Sequence, residues 1–102
     1  MKGDIIMKIN FNKEGSSLNV ALEGRLDTVT APAFESFFCT NCAGITALAI
    51  DCKDLAYVSS AGLRVLLAAH KKMRGAMKLT NVCELVMEVF EMTGFVDILV
   101  IE

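Results

Sequence analysis

A chain of 102 residues, 54% of them apolar, suits one domain with one modest core and is too hydrophobic for a disordered adaptor. Ten Lys and Arg against twelve Asp and Glu leave a net charge of −2, which excludes the basic footprint of a direct nucleic-acid binder. No stretch reaches the roughly 18 apolar residues of a membrane span, and Met1 to Met7 lacks the features of a secretory leader.

In chain order, Ile5, Met7, Ile9 and Phe11 fall on one face at period two and predict a first strand. Asn12 to Ser17, with Gly15 and two serines, reads as a hairpin turn. Leu18, Val20 and Leu22 alternate again in a second, antiparallel strand, which Gly24 to Asp27 closes. Thr30 as cap and Pro32 in the first turn open a helix with an apolar stripe of Phe34, Phe37 and Phe38, stopped by Gly44. Residues 47–50 are an unbroken apolar run, expected as a central strand covered on both faces.

Ser59 and Ser60 precede a helix carrying Leu63, Leu66, Leu67 and His70 at three- and four-residue spacing. The cluster Lys71, Lys72 and Arg74 complements its C-terminal dipole as a solvated helix end, and Gly75 ends it. Met77 to Thr80 forms a fourth strand. Asn81 and Glu84 have the spacing of a capping box for a third helix with Leu85, Val86, Val89 and Phe90. Gly94 stops that helix, and Ile98 to Ile101 is the last strand. The order β-β-α-β-α-β-α-β predicts a single α/β domain over 1–102, with its core about 7–102 and helices packed against a mixed sheet.

The segment from Tyr57 to Arg64 holds the chemistry. Two serines at a strand-to-helix junction offer hydroxyls to free backbone N–H groups, so Ser59 or Ser60 can serve simply as the N-cap, with Gly62 allowing close packing of the first turn. The same position suits an anion, and a phosphate there would sit at the positive end of the helix at little cost to the fold.

This segment resembles the signature of STAS domains, the family of anti-sigma factor antagonists, in which Asp-Ser-Ser-Gly-Leu follows the third strand. Gly24-Arg25-Leu26-Asp27 with Thr28, Ala31 and Pro32 is similar to a second family marker, and Asn81-Val82 through Val89 to Phe95 to its closing helix. The resemblance implies phosphorylation of the serine two positions before the glycine, here Ser60, with Ser59 as second candidate. Ser59 stands where the family usually has Asp, and Ala61 where it usually has Ser. Asp27 matches the family's loop Asp beside the switch surface and also has the makings of an Asx turn. Asp27, Ser59, Ser60, Gly62 and Arg64 are thus the expected partner-binding set.

What the resemblance implies for function is partner switching without catalysis by this chain. The unmodified protein would bind an anti-sigma factor that is also a serine kinase of the histidine-kinase-like ATPase fold. Phosphorylation at Ser60 would release it, and a serine phosphatase would reset the cycle. A second class, favoured slightly by Ser59 in place of Asp, is a non-phosphorylated STAS subunit of a larger assembly such as a transporter complex.

Cys39 and Cys42 form a Cys-x-x-Cys at the end of a predicted helix, the wrong end to stabilise a thiolate, and Cys52 and Cys83 are isolated. All four are expected as reduced thiols of a cytoplasmic protein, without metal or cofactor. His70 has no nucleophile near it in sequence, so a catalytic triad is not expected. Met1 and Met7 are both candidate starts.

Overall fold

Alternating apolar side chains build the first hairpin. In the computed structural model, which describes residues 7–102, β1 (Met7–Glu14) and β2 (Ser17–Leu26) pair antiparallel, with Ile9 opposite Leu22 and Phe11 opposite Val20. Gly15 makes the turn at a φ of +63°, where a side chain would strain the backbone. Ile5, expected in the first strand, lies outside the described residues.

After the hairpin, strands and helices alternate. They are α1 (Ala31–Asn41), β3 (Ala47–Val58), α2 (Ser60–Lys72), β4 (Met77–Thr80), α3 (Glu84–Thr93), a 3-10 turn at Phe95–Asp97, and β5 (Val100–Ile101). The sheet order is β1-β2-β3-β4-β5, parallel throughout except for β1. Crossovers that advance steadily across a sheet with one hand place every helix on the same face. The core forms there: Leu18, Val20 and Leu22 of β2, with Leu48 and Ile50 of β3, join Phe34, Leu66, Val86 and Phe90 from the helices.

The opposite face is open. Asn19, Ala21 and Ala49 are only half-buried and Ala47 and Lys78 are exposed, so residues 47–50 are covered on one face and not on both. Small alanines simply line the open side of an otherwise apolar run. The strand also continues to Val58, well past the expected stop. Two register shifts against β2 insert extra residues in β3, so Cys52, Leu55 and Val58 bury at spacings of three. That spacing conceals the strand from a period-two pattern.

Two capping expectations are also revised. Thr30 occupies the N-cap position of α1 but makes no side-chain cap bond; its hydroxyl donates to the Arg25 carbonyl at 2.8 Å. The capping box at Asn81 and Glu84 does not form, because Cys83 is the N-cap of α3. Asn81 adopts a φ of +57°, and its Nδ2 donates to Asp51 Oδ1 at 3.0 Å, tying the end of β4 to β3. Gly94 stops α3 as expected, at a φ of +81°. The last strand is shorter than predicted because the Ile98 and Leu99 N–H groups donate back to the Phe95 carbonyl, at 3.0 and 2.8 Å.

Candidate functional site

The site lies at the C-terminal ends of β2 and β3, the end of a parallel sheet where connecting loops converge. Leu26 and Val58 are register partners, and the Ser59 N–H donates to the Leu26 carbonyl at 2.9 Å. The loop carrying Asp27 and the junction carrying the serines therefore leave the sheet side by side.

Ser59 is the N-cap of α2: its backbone is extended and its Oγ accepts the Gly62 N–H at 3.4 Å. Ser60 is the first helical residue and is exposed, and its hydroxyl has no intramolecular hydrogen bond among the described residues. Gly62 is buried where α2 presses on the strand ends. A Cβ at this position would sit 2.5 Å from the Leu26 carbonyl oxygen and 3.0 Å from Val58 Cγ1. The expected close packing at Gly62 is therefore present.

Asp27 orders the neighbouring loop. Its Oδ1 accepts the N–H groups of Val29 at 3.0 Å and Thr30 at 3.2 Å, the Asx turn allowed for in the sequence. The Thr30 hydroxyl accepts the Asp27 N–H at 2.8 Å, and Arg25 Nε lies 3.4 Å from Asp27 Oδ2. Partial desolvation opposes ionisation of Asp27, but the N–H bonds from Thr30 and Val29 and the Arg25 contact outweigh it and hold its pKa below the ordinary value. Arg25 also lies over the Tyr57 ring, 4.6 Å from its centroid. Arg25 and Tyr57 belong to two of the sequence motifs but carry no role there; they meet because β2 and β3 place them in register across the sheet.

Arg64 is exposed one turn beyond Ser60. It lines a groove of about 300 Å³ between α1 and α2, with Thr28, Pro32, Glu35 and Ala61 among the other walls. The structure thus brings Asp27, Ser59, Ser60, Gly62 and Arg64 to one end of the molecule. Cys39 and Cys42 lie elsewhere, at the C-terminal end of α1, and no cluster of three metal-ligating side chains occurs among the described residues. Cys52 is buried, and desolvation above all pushes its thiol up to about 12, which makes it a poor nucleophile. His70 is half-buried, and its Nδ1 has no hydrogen-bond partner among the described residues.

This combination of one-sided α/β layering and a serine pair over a glycine-tight junction defines a class. The STAS domain model matches residues 8–102, and the chain belongs to that family. It is 34% identical over 96 residues to BtrV, a candidate anti-sigma factor antagonist of Bordetella bronchiseptica, covering 90% of this chain and 83% of that protein. It is 28% identical over 96 residues to the anti-sigma-B factor antagonist of Bacillus subtilis, covering 91% and 88%. An anti-sigma factor antagonist from Mycobacterium paratuberculosis has the same fold, with a TM-score of 0.85 at 21% identity over 99% of this chain and 89% of that one. The phosphorylated form of the Bacillus cell-fate determinant SpoIIAA aligns with a TM-score of 0.71 at 15% identity, covering 93% and 91%.

Proposed function

We propose that this chain is an anti-sigma factor antagonist that works by partner switching, with Ser60 as its phospho-acceptor. It binds an anti-sigma factor with serine kinase activity while unmodified, is released when Ser60 is phosphorylated, and is reset by a serine phosphatase. The chain provides an acceptor hydroxyl and a docking face; the chemistry belongs to its partners.

The observation that carries this reading is the unequal use of the two serines. The Ser59 hydroxyl is engaged by the Gly62 N–H, whereas the Ser60 hydroxyl is exposed and free of intramolecular bonds among the described residues. A kinase can therefore reach Ser60 without dismantling the helix cap. Phosphate adds nearly two negative charges at the positive end of α2, which the fold tolerates while the docking face changes character. Ser59 in place of the family's Asp keeps the capping function, since both residue types cap well. The likeness in sequence to named antagonists supports the same reading.

Incubation with the cognate kinase and Mg-ATP, followed by intact-mass and fragment analysis, tests the assignment. Wild type and Ser59→Ala should each gain one phosphate on Ser60, and Ser60→Ala should gain none. Phosphate on Ser59 with Ser60 unmodified would contradict it.

A further inference from the structure

We propose that Arg64 is an intramolecular partner for the phosphate on Ser60, so that phosphorylation closes an ion pair along α2. The inference rests on the reading of Ser60 as acceptor. Ser60 and Arg64 are separated by four positions within one continuous helix, which brings their side chains to the same stripe of its surface, and both are exposed. The order is the favourable one, with the acidic group N-terminal to the basic group. Arg64 has no ion pair or hydrogen bond among the described residues, so its guanidinium is free to take a new partner, and its planar fork matches phosphate geometry.

The charged groups around the pair are few. Glu35 lines the same groove as Arg64, and Asp27 on the adjacent loop is occupied by Arg25. A phosphate on Ser60 draws Arg64 toward the helix start and leaves Glu35 as the charged group on the facing wall. Phosphorylation thereby recharges the groove between α1 and α2 as well as the acceptor position, and a partner covering both reads a larger change than one added phosphate.

The test is a phosphorus NMR titration of chain carrying phosphoserine at 60, installed during translation and hence independent of any kinase. The second ionisation of the phosphate, ordinarily near pH 6, should fall lower with Arg64 present than in Arg64→Gln by about 0.4 pH unit. Arg64→Lys should recover part of the difference. Superimposable titrations for the three chains would overturn the pair, and would leave the acceptor assignment standing because the phosphate is placed without the kinase.

Discussion

Ser59 and Ser60 are neighbours in different settings, and the difference is one hydrogen bond. Ser59 caps α2 and Ser60 does not, so the capping cost falls on Ser59 and spares the proposed acceptor. Ser59→Ala should lower stability by about 0.5–2 kcal/mol, and Ser60→Ala should stay within about 0.5 kcal/mol of wild type. Urea unfolding midpoints of the two variants measure this directly. Asp27 gives a pH-dependent counterpart. Its carboxyl titrates below the ordinary value in the folded chain, so its contribution is complete above about pH 4 and disappears as pH falls through the lowered value. Asp27→Asn keeps the Oδ1 acceptor and loses the charge. The melting-temperature gap between wild type and Asp27→Asn should therefore be positive at neutral pH and shrink below about pH 4; a gap that widened on acidification would contradict the assignment. The serine pair was visible in the sequence, but which of the two caps was not, because a cap depends on the backbone angle at one residue.

The elements show where local pattern is informative and where it fails. Period-two alternation locates β1 and β2, and glycines mark the ends of α2 and α3, because those signals are encoded within a few residues. The full length of β3 is hidden by its register shifts, which replace alternation with a spacing of three at Cys52, Leu55 and Val58. Asn81 reads as a cap in isolation, yet Asp51 on the neighbouring strand claims its amide. The contact between α2 and the strand ends depends on Gly62. Ala at this position should be destabilising by about 1–2 kcal/mol net, because a Cβ 2.5 Å from the Leu26 carbonyl oxygen places the overpacking cost at about 2–3 kcal/mol against a helix-propensity gain of about 1 kcal/mol. Chemical denaturation gives the magnitude, and amide shift changes concentrated near Leu26 and Val58 would locate the strain. A Gly62→Ala chain as stable as wild type would show that the close approach does not hold in solution.

At the scale of the whole molecule, a sheet that advances in one direction puts its helices on one side and its connecting loops at the two ends. Ile50 and Ala49, adjacent on β3, report the two faces. Ile50→Ala should cost about 2–5 kcal/mol and Ala49→Thr no more than about 0.5 kcal/mol, as read from denaturation curves. Comparable losses at both positions would mean that the open face is covered. The mixed sheet follows from the element sequence, whereas the openness of one face is a property of three-dimensional winding that Ala47 and Ala49 do not announce. The same winding sets the loop with Asp27 beside the junction with Ser60, so a charge added to one serine should alter a face built from two elements and leave the core beneath it in place. That separation of folding from recognition is the central claim, and calorimetric titration of Ser60→Ala and Ser60→Asp against the proposed anti-sigma kinase partner tests it most directly. Both variants should be folded and at least near wild-type stability, since a carboxylate suits the start of α2. Ser60→Ala should bind as tightly as unmodified wild type, and Ser60→Asp at least tenfold more weakly because the added carboxylate, even beside Arg64, must be desolvated at an interface that offers it no partner. Equal affinities for the two variants would contradict the account.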